Sequence, residues 1–345
     1  MEPNSGAPLR EMWYYAVAGS RLKPGKLLPK TMLGEPIVLG RKSDGSVFAL
    51  RDICPHRGIP LSFGRMCDDD VECCFHGWRF NSAGRCTSIP SLTPQQKSTD
   101  VGKIKVAAYP AREVQGSIWV FFGEDPATAP EIPVLPDIGE RKPQLIYSLA
   151  AKCGFDDAVY GQMDPSHNPY VHVSPWWRRS GGVYDKAKAF GPTPYGFSML
   201  RHKPSTNLLP YKILGVPETE IIFRLPSTRI EITRFGRHSI YTLNAVTPLA
   251  EGEIEMNYAA YWTAPWITLA KPVVQWALHN FIDQDRRVLE KQRVGLRHQP
   301  TLMLIDDVDV QAKWYFRLKN EYVRAKTEGR PFDNPVKERT LYWRS

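Results

Sequence analysis

Cys54-Pro55-His56 and, after sixteen intervening residues, Cys73-Cys74-Phe75-His76-Gly77-Trp78 decide how this chain is read. The pattern is Cys-x-His followed by Cys-x-x-His. Two thiolates and two imidazoles, offered in pairs from two short segments, make a four-ligand metal set. A zinc ion would take all four ligands at once. A [2Fe–2S] cluster would take both cysteines on one iron and both histidines on the other. Pro55, Gly58 and Gly77 stand beside the ligands, where tight loops bring backbone N–H groups toward sulfur.

Outward from this pair the text is β-like. Residues 35–40 and 46–50 are apolar runs around Lys42-Ser43-Asp44-Gly45, a hairpin turn signal. Residues 71–73 form a short strand that delivers the second ligand segment. Residues 79–81 and 84–86 flank another turn, and 104–108 and 117–122 complete the set. Upstream, Trp13, Tyr14 and Tyr15 begin the ordered chain, expected as an N-terminal helix packed on the first domain. Short strands with Gly, Asp and Asn turns imply a small all-β domain with the ligands at loop tips. Pro126, Pro130, Pro133 and Pro136 interrupt the next stretch and place a boundary there, giving domains 1–130 and 131–345. In the second half, 221–225, 229–233, 239–243 and 254–262 pattern as strands, and 266–293 and 306–326 as long helices. The fold class is therefore α+β, an all-β domain followed by an antiparallel sheet with long C-terminal helices.

The 345 residues leave room for two domains, and 42% hydrophobic content with a mean hydropathy of −0.36 fits a water-soluble globular protein. Residues 1–10 are polar, so no secretory signal is expected. The most apolar run, 266–282, contains Lys271, Pro272, Gln275 and His279 and is too polar to span a membrane. Six cysteines, two of them metal ligands, leave four free thiols and point to a reducing cytoplasm. The formal charge is +9 and the pI about 9.2. The basic residues are dispersed and carry no nucleic-acid motif, so a nucleic-acid partner is not expected. Docking of an acidic electron carrier, or ordinary surface charge, accounts for the balance.

A second ligand-bearing stretch is Asp164-Pro165-Ser166-His167-Asn168-Pro169-Tyr170-Val171-His172. Two residues five apart on an ideal helix differ by about 140°, so His167 and His172 would not share a face. A kink or bulge at Pro169 would bring the rings together. Asp164 before Pro165 suits a helix N-cap. Taken alone, this pattern fits two ordinary histidines as well as two ligands.

The two motifs together resemble the catalytic subunits of Rieske non-heme iron oxygenases, in the monooxygenase and demethylase branch. Cys-x-His…Cys-x-x-His-Gly-Trp is similar to their cluster motif, and Asp-x-x-His-x4-His to their mononuclear iron motif. The resemblance implies that Cys54, His56, Cys73 and His76 hold a Rieske [2Fe–2S] cluster. It implies a helix-grip, START-like catalytic domain in which His167 and His172 bind Fe(II) with a carboxylate from a distant helix. Among Asp283, Asp285, Glu290, Asp306, Asp307 and Asp309, Asp285 best matches, through Asp285-Arg286-Arg287-Val288-Leu289-Glu290. Asp164 would act in catalysis by linking the iron site to a cluster histidine, His76, of a neighbouring subunit in a homotrimer. One departure is visible: many family members have Asn three residues before that aspartate, where this chain has Gly161.

An oxygenase would use O2 as co-substrate and take electrons from a separate ferredoxin or flavin reductase, and so indirectly from NAD(P)H. The chain itself has no Gly-x-Gly-x-x-Gly fingerprint and no plant-type ferredoxin spacing. The alternative is a Rieske electron-transfer protein without oxygenase chemistry. Respiratory Rieske proteins add a disulfide between the cluster loops, but its positions here are Ile59 and Phe75. A soluble Rieske ferredoxin would be far shorter. The expected substrate is small and apolar, aromatic or polycyclic, hydroxylated or demethylated. Met199, Phe223, Leu225, Tyr241, Asn244, Tyr258 and Tyr261 are candidate pocket residues, or ordinary core. Trp176-Trp177-Arg178-Arg179 would cap the pocket and pair with a carboxylate, or form an interface.

Overall fold

A computed structural model describes residues 7–96, 100–172, 184–204 and 217–345. The chain forms two compact units. The first is Arg10–Lys142 with Pro248–Glu251, and the second is mainly Pro143–Thr247 and Gly252–Ser345.

The first unit is all β. Its strands are β1 (Met12–Ala18), β2 (Leu27–Met32), β3 (Glu35–Arg41), β4 (Val47–Arg51), β5 (Arg65–Cys67) and β6 (Asp70–Glu72). They continue as β7 (Arg79–Phe80), β8 (Cys86–Ser88), β9 (Ala108–Tyr109), β10 (Ala111–Val114) and β11 (Ser117–Phe122). Three sheets result, ordered β1-β11-β10, β2-β3-β4-β9 and β5-β6-β7-β8. The hairpin between β3 and β4 turns where expected, and Gly45 takes the positive φ that the turn requires. Of the expected strand at 104–108 only Ala108 is in a strand, β9, which it forms with Tyr109.

The N-terminal helix is not found among the described residues. Residues 12–18 are β1, paired antiparallel with β11. All seven are buried, and so are all six of β11. A strand covered on both faces can bury such a run. A surface helix would leave half of it in water. The boundary also lies later, at Lys142 and Pro143. The proline-rich segment is tied to the first unit by Gln115, whose amide nitrogen donates to the Leu135 and Gly139 carbonyls at 2.9 and 2.8 Å.

The second unit contains β12 (Leu145–Ala151), α1 (Phe155–Gly161), α2 (Asn168–Val171), β13 (Asp185–Thr193), β14 (Gly196–His202) and β15 (Glu218–Arg224). Then come β16 (Thr228–Phe235), β17 (His238–Ala250), β18 (Glu253–Trp262), α3 (Lys271–Leu296), α4 (Val310–Thr327) and β19 (Arg339–Arg344). One eight-stranded sheet runs β12-β18-β17-β16-β15-β14-β13-β19 with antiparallel pairings. Val274 and Leu278 lay α3 on a core of Leu145, Phe235 and Trp262. Trp314 and Tyr315 of α4 pack on Phe190, Phe197 and Phe223 of the sheet. α1 sits against both long helices. The α+β class, with a large antiparallel sheet and long C-terminal helices, is thus as expected.

Candidate metal centres

The two ligand loops of the first unit share one construction. The Cys54 N–H donates to the Ile59 carbonyl and the Gly58 N–H to the Cys54 carbonyl, both at 2.8 Å. The Cys73 N–H donates to the Trp78 carbonyl at 2.8 Å and the Gly77 N–H to the Cys73 carbonyl at 3.0 Å. Gly58 and Gly77 both have φ near +70°, which a side chain would strain. The loops bring like ligands together. The Cys54 and Cys73 thiols are buried neighbours within hydrogen-bonding reach. The His56 and His76 rings lie 4.5 Å apart on the outer side, and Trp78 stacks on His56 at 4.4 Å. Cysteine against cysteine inside and histidine against histidine outside suits a two-iron cluster better than one zinc ion.

Burial pushes the Cys54 thiol up to about 11, against N–H groups of His56 and Arg57 that favour the thiolate. Desolvation and the neighbouring His76 lower His56, favouring the neutral ring that binds metal. Metal binding here therefore releases protons from sulfur. Cys86 shares the same core, but its thiol donates to the Ser88 carbonyl.

The second centre is built from two places in the other unit. His167 and His172 flank the single turn α2 as its caps, and their rings lie 5.3 Å apart. Pro169 sits at the start of this one turn rather than at a kink or bulge of a helix carrying both rings. Asp164 does not cap it. Its carboxylate accepts from the Ser166 N–H and Oγ at 2.7 and 2.5 Å, and its other oxygen lies 3.5 Å from His167 Nδ1. From α3, Asp285 Oδ1 reaches His167 Nε2 at 3.5 Å and His172 Nε2 at 3.4 Å. The three ligand atoms lie within 4.8 Å of one another.

This donor set fits a metal ion. The His172 Nε2 atom is buried and has no hydrogen-bond partner among the described residues. Two imidazoles and one carboxylate on one side match the 2-His-1-carboxylate set. Burial would depress His167, but the carboxylates of Asp164 and Asp285 outweigh it and lift the ring to about 9. Burial lowers His172 despite Asp285. Asp164 is lowered, since His167 and Ser166 together outweigh its burial. The other candidate carboxylates are engaged elsewhere. Asp283 pairs with Arg286 and Arg287, and Glu290 with Arg286. Asp306 pairs with Lys313, Asp307 with Arg339, and Asp309 accepts from the Ile305 N–H.

Two residues of the centre were not anticipated. Phe281 stacks under His172 at 3.6 Å, and the Gln284 side-chain oxygen lies 3.3 Å from His172 Nδ1. They precede Asp285 by four and one residues on α3, so the helix itself gathers them on one side. A cavity of about 270 Å³ opens on Asp164, His167 and Asp285. Of the seven candidate pocket residues only Tyr258 lines it. Met199, Phe223, Leu225, Tyr241, Asn244 and Tyr261 are buried in the unit's interior instead. Phe223, for one, faces the α4 aromatics. Residues 176–179 lie outside the described residues.

Comparison with known proteins decides the first centre. Residues 12–110 match the Rieske [2Fe-2S] domain. The chain carries a Rieske domain. Its curated relatives include the 3-chlorobenzoate-3,4-dioxygenase oxygenase subunit of Comamonas testosteroni, 32% identical over 173 residues, covering 49% of this chain and 39% of that protein. The oxygenase component of dicamba O-demethylase from Stenotrophomonas maltophilia is 33% identical over 168 residues, covering 48% of each. The aligned part therefore spans about half or less of these relatives. Among solved structures, dicamba monooxygenase bound to dicamba superposes with a TM-score of 0.68 at 22% identity, over 92% of this chain and all of that one. The fold is shared along nearly the whole chain. With the Rieske domain in place, the zinc alternative falls away, and the resemblance is borne out in the domain at residues 12–110 and in the fold.

Proposed function

We propose that this chain is the terminal oxygenase component of a multi-component system, hydroxylating or demethylating an apolar or aromatic substrate. One observation carries the reading. A 2-His-1-carboxylate set, with a buried ring nitrogen unpaired at its centre, occurs in the same chain as a Rieske domain. An electron carrier has no use for the second set. The relatives named for dioxygenation of 3-chlorobenzoate and O-demethylation of dicamba support an aromatic substrate.

When bound, the cluster supplies electrons one at a time and the iron supplies the place where O2 is used. The residues do the rest. Asp164 faces His167 Nδ1 and so turns Nε2 toward the ion, while Phe281 and Gln284 fix the plane of His172. Met256, Val288 and Leu289 wall the adjoining cavity, exclude water and hold an apolar skeleton beside the centre. Electrons come from NAD(P)H through a separate ferredoxin or flavin reductase. The chain works as a cytoplasmic homotrimer in which Asp164 links the iron site to His76 of the partner subunit. No described helix is long and apolar enough to cross a membrane.

The test is the ratio of iron to acid-labile sulfide in anaerobically purified protein. About three irons for every two sulfides per chain is expected. About two for two, persisting after Fe(II) is added back, would leave an electron carrier.

A further inference from the structure

Tyr258 stands in the cavity beside the second centre, on a wall shared with His167, Asp285 and Met256. On the neighbouring strand, Tyr147 of β12 is its direct antiparallel partner. Side chains of such a pair leave the same face of the sheet, with Cβ atoms about 4.5–5.5 Å apart. Asp285 and Tyr147 both lie within electrostatic reach of the Tyr258 phenol.

The second phenol leads outward. Tyr147 Oη lies 2.6 Å from Nδ1 of His279 on α3, and the two rings meet edge to face at 5.3 Å. With the ring proton on Nε2, the imidazole accepts at Nδ1 and the phenol donates. His279 is exposed. Asp283 follows it by one helical turn, where a carboxylate favours an imidazolium. Burial and Asp283 push Tyr147 above its ordinary value, against Arg286, so near neutral pH it is a phenol with a proton to give. The ligands, Tyr258, Tyr147 and His279 therefore form a line from the centre to the surface, within one compact unit.

A phenol loses an electron readily only when its proton leaves as well, because the radical cation is a very strong acid. A neutral imidazole already in hydrogen-bond contact takes that proton without rearrangement. Electrons pass quickly between neighbouring aromatic rings. A centre that uses O2 with no substrate in place leaves an oxidising equivalent among oxidisable side chains. Met256 is one of them, and its thioether is converted to the sulfoxide.

We propose that Tyr258, Tyr147 and His279 carry such an oxidising equivalent out of the cavity to the surface. One electron passes from Tyr147 through Tyr258 to the centre, which is reduced by one electron. The Tyr147 proton passes to His279 Nδ1, leaving a neutral phenoxyl radical and an imidazolium. A soluble thiolate then gives one electron to the radical, two such donors ending as a disulfide, and the imidazolium returns the proton. The source of the oxidant rests on the oxygenase reading; the redox activity of the Tyr147–His279 pair does not.

Two measurements on the holoprotein and its Tyr147→Phe, His279→Gln and Tyr258→Phe variants test this. In the first, flash-generated ruthenium(III) tris-bipyridine oxidises the protein from solution, and electron paramagnetic resonance reads the tyrosyl radical. Tyr147→Phe should lose the long-lived signal. His279→Gln should slow its formation about a hundredfold, as expected when a positioned base is removed. Tyr258→Phe should leave it unchanged. In the second, reduced holoprotein without substrate is mixed with hydrogen peroxide, and peptide mass spectrometry reads Met256. All three variants should accumulate Met256 sulfoxide faster than wild type. An unchanged flash signal in Tyr147→Phe overturns the proposal whatever the centre does. A plain latch between β12 and α3 would lower the melting temperature and leave radical and sulfoxide unchanged, and that result overturns it too. The iron-to-sulfide ratio of the same samples separates the two readings. A carrier-like ratio with the expected flash signals removes the oxygenase and keeps the redox pair. An oxygenase-like ratio with wild-type Met256 oxidation in every variant keeps the oxygenase and removes the route.

Discussion

His172 Nε2 lies 3.4 Å from Asp285 Oδ1, buried, and hydrogen-bonds to nothing among the described residues. A buried ring nitrogen left without a partner costs about 1–3 kcal/mol unless a ligand takes it. His167 Nε2 lies 3.5 Å from the same carboxylate oxygen. Asp285→Asn should therefore lower iron from about three to about two per chain and leave sulfide unchanged. Asp283→Asn should keep all the iron, because Asp283 is paired with Arg286 and Arg287 of its own helix. Metal and sulfide assays on the two variants check this, and the reverse pattern would reassign the ligand.

The cysteines divide in the same way. Cys54→Ser and Cys73→Ser should lose labile sulfide and visible absorption together, since one thiolate cannot hold the inner iron. Cys74 is exposed, and the Cys86 thiol is turned to the Ser88 carbonyl. Serine at either of those positions should leave sulfide at about two per chain. Loss of sulfide in Cys86→Ser alone would show that this core thiol takes part in binding.

Asp164 uses one oxygen for Ser166 and turns the other to His167. Asparagine keeps the first contact and loses the charged second one. Asp164→Asn should hold both metals yet turn over about 10–100-fold more slowly, with chemical reduction of the cluster unaffected. Single-turnover rates equal to wild type would remove the bridging role.

What was legible depended on how local the signal was. The Rieske ligands announce themselves within a few residues, because each loop must make the same tight turn around one cysteine. Strands β3, β4, β11 and β15 to β18 show as apolar or alternating runs. β1 does not, since burial of all its residues erases alternation. β13 and β19 are also hidden. Asp185-Lys186-Ala187-Lys188 pairs with residues 341–344, so its partner comes from the far end of the chain. Asp285 was legible by motif. Phe281 and Gln284 become visible only once the helix register around Asp285 is known. The pocket was sought in the middle of the sheet, but α4 aromatics cover that region and the opening lies between α1, α3, β18 and the first turn of α4.

Lys319 of α4 is 2% exposed and both oxygens of Asp156 on α1 accept from it, at 2.8 and 2.7 Å. Tyr315 adds a third bond to the same carboxylate. Removing one member of a buried pair strands the other charge. Lys319→Met should destabilise the protein by about 3–5 kcal/mol. Adding Asp156→Asn should recover part of that loss, because the stranded charge is gone. Denaturant titrations of the single and double variants check it, and strictly additive losses would mean that the pair is not coupled.

Glu321, buried on α4, is held at about 2 from its ordinary value of 4.5. Arg330 is the main cause; burial opposes it, and Arg324 and the Asp333 N–H add to the lowering. A carboxyl lowered by folding stabilises the native state at pH above its unfolded value. That contribution fades as acid protonates the folded group. Wild type should thus exceed Glu321→Gln in melting temperature by a constant margin above about pH 5. The margin should shrink as pH falls from 4.5 toward 2. Arg324 is largely exposed, so salt should trim its share, leaving the Arg330 bond as the part that persists. Thermal melts across this range decide it: a margin that stays constant down to pH 2 would mean that the arginines stabilise Glu321 no more than they do the neutral glutamine.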